Sequence, residues 1–375
     1  MIDLLARGLL SIAALSLPAL AGQSLDPELV RSVEKLIHAE IESQHMVGVS
    51  VAIGVDGEMV WSQGFGLADV ENDVPATEQT VYRLASISKP VTAAAVMQLV
   101  EQGKLDLDGT VSTYVADWPE KRWPITIRQL LGHQGGVRHY ADKDVANNTK
   151  AYATCTESLE YFADDPLIAE PGTEYSYTTF GFNLLGAAVE GASGMSFMEY
   201  LVGHVFPLAG TSAMQDDSQS RIIKHRARGY AVAGAGSSQT IQRLGEIPPG
   251  ELCNAMLVDV SYKVPGGGLC STAADLVRFT QSMEAGRLVK PKTRDLMWTA
   301  QKTRDGTQTN YGMGWITAER AGSKFVVHTG AQAGASTSLI LLRDAGVVVA
   351  VMCNTEGTNP GAMGRRIALL VESSL

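Results

Sequence analysis

The start of the chain shows a helical pattern of apolar residues. These residues recur at helical spacing on a stripe formed by Val30, Val33, Ile37 and Ile41. Asp26 and Pro27 precede the stripe and have the character of a helix N-cap followed by proline at the first helical position. The pattern predicts a helix from about Asp26 to His45.

Strand-like runs follow this helix and return at the end of the chain. Asp56-Gly57 joins the first two runs and favours a tight hairpin, because both positions tolerate positive φ. A final amphipathic stretch from about Gly361 to Val371 predicts a C-terminal helix. The predicted strands run from Val47 to Val55, Met59 to Phe65, Lys324 to His328, Ser336 to Leu342 and Val347 to Cys353.

Strands therefore cluster at both ends of the chain, and helix-like segments fill the middle. This order predicts an α+β fold, in which one antiparallel sheet is built from both chain ends and flanked by the terminal helices. A mostly helical lobe is inserted between them. We expect the α/β lobe to comprise residues about 22–80 and 275–375, and the helical lobe about 81–274.

The first residues have the features of a secretory signal peptide. Arg7 is followed by an apolar run from Leu9 to Leu20, and Ala19-Leu20-Ala21 has the small-x-small form of a cleavage site. The apolar run is shorter than the ~20 residues that span a membrane. We expect residues 1–21 to be removed, which leaves no stable membrane span and places the protein in the periplasm or outside the cell.

The charge balance excludes one class of partner. The net charge of −10 repels the phosphate backbone, so we expect no nucleic acid to bind. The four cysteines permit disulfides in an oxidising compartment. Cys270 and Cys353 follow or end apolar runs and are typical of buried small residues, whereas Cys155 and Cys253 are the pair we expect if any disulfide forms.

A Ser-x-x-Lys tetrad provides the first candidate chemistry. Ser86 and Lys89 stand three residues apart at the start of the apolar run Val91 to Gln102, so both side chains lie on one face of a predicted helix. A serine hydroxyl is a weak nucleophile unless a neighbouring group takes its proton. The alternative is a capped and solvated helix start, because serine and lysine are common residues.

Two further segments complete a resemblance to a known family. Tyr177-Thr178-Thr179 lies in a turn before an apolar helix, and His328-Thr329-Gly330 ends a predicted strand. Together with the tetrad, these segments resemble the class C β-lactamase and penicillin-binding-protein superfamily, in the family's order. The likeness is closest to the mitochondrial serine β-lactamase-like branch, which forms filaments.

The resemblance implies roles for individual residues. Ser86 is the nucleophile, and either Lys89 or Tyr177 accepts its proton. The backbone N–H groups of Ser86 and Ala331 form the oxyanion hole. Thr179, His328, Thr329 and Gly330 contact the substrate, although the family usually has asparagine at 179 and lysine at 328.

The same resemblance implies an electrostatic scheme around Tyr177. Lys89 and a protonated His328 would favour the ionised phenol. A histidine near its ordinary pKa of about 6.5 loses its charge above neutral pH, so we expect β-lactam carboxylates to be poorly held.

The function expected from these residues is a serine hydrolase that acts on peptides, D-amino-acid peptides or small esters. A β-lactamase and a non-catalytic or filament-forming scaffold are the alternatives. No cofactor or metal is implied, because His133 and His139 lack further ligands at suitable spacing and are interpreted as loop histidines. Tyr262 and Lys263, just before the glycines at 266–268, are further candidates for lining the site.

Overall fold

The computed structural model describes residues 24–141, 144, 150–234, 247–320 and 322–375. The predicted signal peptide, residues 1–21, lies outside the described residues. Within the described ranges, no helix is long and apolar enough to cross a membrane.

A seven-stranded antiparallel sheet combines both ends of the chain, in the order β3-β2-β1-β12-β11-β10-β9. Three of these strands precede the helices of the middle of the chain in sequence, and four follow them. β1 and β12 therefore join the two chain ends, with Val51 opposite Val351. The α+β fold class is therefore confirmed. The strands are β1 Gly48–Val55, β2 Glu58–Asp69, β3 Val74–Pro75, β9 Ile316–Arg320, β10 Ser323–Gln332, β11 Ala335–Leu342 and β12 Val347–Cys353.

Two smaller sheets lie outside the main one. One has the strand order β4-β8-β5 and the other pairs β6 with β7. These strands are β4 Tyr82–Arg83, β5 Gln215–Asp216, β6 Tyr230–Val232, β7 Leu252–Asn254 and β8 Leu269–Ser271.

The helices cover the main sheet and form most of the remaining body. They are α1 Pro27–Gln44, α2 Ser88–Glu101, α3 Ile127–Leu131, α4 Thr179–Ser193, α5 Phe197–Tyr200, α6 Phe206–Ala209, α7 Val264–Gly267, α8 Ala273–Glu284, α9 Pro291–Met297 and α10 Pro360–Glu372. A π-helical turn, Leu201–Val205, connects α5 to α6. Short 3₁₀ turns span Ala85–Ile87, Val111–Thr113, Glu157–Tyr161 and Ser261–Lys263.

The central strands are buried on both faces, which explains their nearly unbroken apolar sequences. On one face, Val51 and Val349 pack with residues of α1 and α10, such as Ile37 and Ile367. On the other face, Ala52 and Ala350 belong to the larger core that includes α2, α4 and α8. A sheet covered on both faces buries alternate side chains in two separate cores, so apolar residues occur at consecutive positions.

The predicted terminal elements match the structure closely. The Asp26 side chain caps α1 by accepting hydrogen bonds from the backbone N–H groups of Glu28 and Leu29. Asp56 and Gly57 both have positive φ, 48° and 86°, as a two-residue hairpin turn requires. These local signals depend on neighbouring residues alone, so the sequence is sufficient to reveal them.

Cys155 and Cys253, the pair expected if a disulfide formed, both carry free, buried thiols. Different elements hold the two cysteines. The backbone N–H of Cys155 donates to Glu190 on α4, whereas Cys253 lies on β7 and its thiol donates to the carbonyl of Ala231. Cys270 and Cys353 are also free and buried.

Candidate active site

A strained turn presents Ser86 to a cavity between the sheet and the helices. Ala85 has a φ of +48°, in the left-handed region that costs a non-glycine residue about 1 kcal/mol. The next serine holds this turn in place, because the Ser88 hydroxyl donates to the Ala85 carbonyl and accepts from the Leu269 N–H. Ser88 is fully buried, whereas Ser86 is partly exposed. Only Ser86 of the two serines lines the cavity.

Lys89 lies one helical turn from Ser86 and is fully buried. Its Nζ is 3.2 Å from the Ser86 Oγ, 3.2 Å from the Thr179 Oγ1 and 2.6 Å from the carbonyl oxygen of Gly266. No carboxylate is among these contacts. Burial, together with the nearby charge of Lys263, lowers the pKa of Lys89 well below its ordinary value. This shift favours the neutral amine, which is the form that accepts a proton.

Tyr177 approaches the same point from the turn before α4. Lys89 Nζ lies 4.8 Å from the centre of the Tyr177 ring. Burial raises the pKa of Tyr177, although a hydrogen bond with the Ser86 side chain opposes this shift. The expectation of a stabilised phenolate is therefore wrong, because burial favours the neutral phenol. Tyr177 is a neutral phenol at neutral pH.

Thr179 lies at the first position of α4 and faces the cavity. Its hydroxyl contacts Lys89, and its backbone N–H donates to Nδ1 of His139 at 3.2 Å. A threonine here provides a short hydroxyl instead of a side-chain amide, and this hydroxyl contacts Lys89.

The second half of β10 forms the opposite edge of the cavity. β9 pairs only with residues Ser323–Val327 of β10, so the later residues of β10 are not paired with β9. Thr329 and Ala331 line the cavity, and Gly330 alternates with them and faces the protein interior. A Cβ on Gly330 would lie 2.3 Å from the carbonyl oxygen of Leu84. Glycine therefore allows β10 to approach the turn that holds Ser86.

Gly330→Ala should separate β10 from this turn, since its Cβ would also lie 2.4 Å from the Thr337 hydroxyl. We expect a loss of about 1–3 kcal/mol in unfolding free energy and a decrease of at least about tenfold in kcat/KM for an ester. Urea unfolding and steady-state kinetics measure the two effects. Gly203→Ala is the matched control, because a Cβ there meets nothing within 4 Å. Equal unfolding midpoints for the two variants would contradict the steric role of Gly330.

His328 does not contact the cavity, which corrects the expectation that it binds substrate. Its side chain is 1% exposed, its Nε2 is 2.9 Å from the Tyr311 hydroxyl and its Nδ1 is 2.8 Å from the Thr329 carbonyl. Burial and Lys89 lower the pKa of His328 to about 3, although the Thr329 carbonyl opposes the shift. His328 is neutral at pH 6 and at pH 8, so the loss of charge expected above neutral pH does not occur.

The two loop histidines have different positions. His133 is fully buried, accepts a hydrogen bond from the Thr178 N–H at Nδ1 and packs 4.3 Å from the Tyr177 ring. His139 lines the cavity instead, which its interpretation as a loop histidine missed. Arg138 secures this loop through ion pairs with Asp144 and Asp165. Among the described residues, no group of three or more histidine, cysteine or acidic side chains is arranged to hold a metal.

The cavity has a volume of about 300 Å³, and none of its described lining residues carries a carboxylate. Lys263 is part of its wall, whereas Tyr262 is buried behind it against Tyr161. The sequence alone could not show which of these two adjacent residues lines the cavity. The described lining residues are Ala85, Ser86, His139, Tyr140, Tyr177, Thr179, Lys263, Gly266, Gly267, Thr329, Ala331 and Gln332.

Comparison with known proteins finds relatives of this chain both in sequence and in fold. The serine beta-lactamase-like protein LACTB of human mitochondria is 30% identical, over 91% of this chain and 79% of its own. The D-amino acid amidase of Ochrobactrum anthropi SV3 superposes with a TM-score of 0.79 at 21% identity, over 93% of this chain and all of the amidase. The hydrolase EstCE1 gives a TM-score of 0.75 at 23% identity, over 92% and 98% of the two chains.

These two solved structures support the fold, and the sequence match extends the relationship. The Beta-lactamase family matches residues 33–372, which include the segments around Ser86, Tyr177 and His328. The chain therefore belongs to the Beta-lactamase family.

Proposed function

We propose that this protein is a serine hydrolase that forms an acyl-enzyme on Ser86 and cleaves ester or amide bonds in peptides, D-amino-acid peptides or small esters. One observation carries the proposal: the Ser86 hydroxyl lies 3.2 Å from a buried lysine amine whose contacts with the described residues include no carboxylate. An amine in this state is a base within hydrogen-bond distance of a nucleophile.

In the proposed mechanism, Lys89 accepts the proton of Ser86 as the Oγ bonds to the substrate carbonyl carbon. The N–H groups of Ser86 and Ala331 stabilise the negative charge that forms on the carbonyl oxygen. Tyr177, as a neutral phenol, donates its proton to the leaving group as the bond to that group breaks. The proton held by Lys89 then passes to the Tyr177 oxygen and restores the phenol. Water cleaves the acyl-enzyme ester on Ser86 by the same proton transfers in reverse.

The substrate range is proposed from the cavity and from the relatives. An amidase and a hydrolase described as having promiscuous acyltransferase activity share this fold. His328, at the position of the family's lysine, is buried and neutral, and Thr179 has no side-chain amide, so neither residue holds a β-lactam in the family's manner. We therefore expect β-lactams to be poorer substrates than esters or amides.

A substrate panel tests this function. Purified mature protein should hydrolyse short p-nitrophenyl esters, or L- or D-aminoacyl p-nitroanilides, with a kcat/KM at least about tenfold above that for nitrocefin. The rates of a Ser86→Ala variant are subtracted as background. Preferential turnover of nitrocefin would support a β-lactamase instead, and folded protein without turnover of any panel member would support a non-catalytic scaffold.

A further inference from the structure

We propose that Lys263 binds a carboxylate of the substrate, so that this protein acts on esters or amides that carry a negative charge near the scissile bond. The inference rests on the proposed function, since it places that carboxylate in the cavity beside the Ser86 hydroxyl.

Lys263 is a buried lysine for which the described part of the chain provides no hydrogen-bond or ion-pair partner. It ends the 3₁₀ turn Ser261–Lys263, immediately before α7, and its side chain reaches the cavity wall although the residue is only 8% exposed. Its Nζ makes no hydrogen bond or ion pair with any described residue, and its neighbours include the Tyr140 and Tyr262 rings, at 5.4 Å and 5.6 Å. Burying an amine without a partner is costly, and a ligand that supplies the partner recovers this cost.

The other basic groups near the cavity are already engaged. Lys89 contacts Ser86, Thr179 and Gly266. Arg83 forms an ion pair with Asp217 at 2.7 Å. Lys263 is therefore the basic side chain at this wall that is available to a ligand.

The cavity wall as described has no acidic side chain to complement a positively charged substrate. An α-ammonium group beside the scissile bond would meet Lys263 without a counter-ion. A carboxylate would gain a charge-assisted hydrogen bond, which is stronger than one between neutral groups. The charge pattern thus favours an acidic substrate over a free amino terminus.

The pH dependence of this recognition follows from the environment of Lys263. Burial and then Arg83 lower the pKa of Lys263 to about 7, while Asp217 opposes the shift. The charged form that attracts a carboxylate is therefore present below about pH 7 and is lost as the pH rises through this value. Burial, Lys89 and Lys263 lower the pKa of His139 to about 4, so His139 stays neutral throughout this change. The charged or titratable groups that face Lys263 are Arg83, Asp217, Lys89, His139, Tyr140 and Tyr262.

Two matched ester pairs test the proposal and locate the carboxylate. Mono-p-nitrophenyl adipate and p-nitrophenyl hexanoate differ in the acyl part, and 3-acetoxybenzoate and its methyl ester differ in the leaving group. At pH 6, we expect one acidic ester to exceed its neutral partner at least about tenfold in kcat/KM, after subtraction of the Ser86→Ala rate. This ratio should fall several-fold by pH 9.

Variants of Lys263 separate charge from shape. Lys263→Met should reduce the ratio to about one or below, and Lys263→Arg should keep it well above one, because arginine retains the positive charge. Lys292→Met, at an exposed position on α9, is the control and should leave the ratio unchanged. Ratios near one for both pairs in the wild type, with neutral esters still hydrolysed, would overturn the role of Lys263 and leave the proposed function intact.

A binding measurement decides the case without turnover. Adipate should raise the thermal unfolding midpoint of the wild type at pH 6 more than the uncharged adipamide does, and this difference should vanish in Lys263→Met. If no ester is hydrolysed, the proposed function fails, but an adipate shift that depends on Lys263 would still support carboxylate binding. Equal shifts with adipate and adipamide would exclude it.

Discussion

Ser86→Ala should abolish covalent labelling of the protein by a fluorophosphonate and reduce ester turnover by at least about 10³-fold. The reason is that a fluorophosphonate forms a stable adduct only with an activated nucleophile. Ser86 is the serine in the strained turn that lines the cavity and lies 3.2 Å from the Lys89 amine. Intact-protein mass spectrometry measures the adduct, and peptide mapping locates it.

Ser88→Ala is the matched control, because Ser88 lies two residues away and is fully buried. Its hydroxyl bonds to Ala85 and Leu269, so its removal should lower stability while labelling at Ser86 persists. An adduct that survives in Ser86→Ala, or that maps to Ser88, would refute the assignment of the nucleophile.

The sequence revealed the fold because its signals are local or periodic. The cap at Asp26 and the hairpin at Asp56-Gly57 depend on adjacent residues, and both are present in the structure. The tetrad spacing also placed Lys89 beside Ser86, since positions three apart share a helix face. Periodicity thus predicts which side chains lie close together within one helix or strand.

Electrostatic properties were harder to predict because they depend on burial, which arises from the whole fold. The sequence predicts that His328 titrates near neutral pH, but its side chain is buried in the protein and its pKa is lowered to about 3. Lys263 and Tyr262 are adjacent in sequence, yet only the lysine reaches the cavity. The orientation of a side chain in a short 3₁₀ turn is set by distant elements, so a motif alone does not reveal it.

The proton-transfer partners should show the second large effect. Lys89→Ala and Tyr177→Phe are each expected to lower kcat/KM by on the order of 10² or more. Lys89→Arg should be as impaired as Lys89→Ala, because an arginine stays charged and accepts no proton. In the wild type, kcat/KM should fall with decreasing pH as Lys89 becomes protonated, and Lys89→Ala should lose this dependence.

The double variant distinguishes a shared step from two separate contributions. Groups that act as a unit give non-additive losses, so Lys89→Ala combined with Tyr177→Phe should lose little more than the worse single variant. Tyr175→Phe is the matched control, since Tyr175 neighbours the same rings but does not line the cavity. Strictly multiplicative losses in the double variant would show that Lys89 and Tyr177 act in different steps. The proposed route, in which the proton passes from Ser86 through Lys89 to Tyr177, would then be wrong.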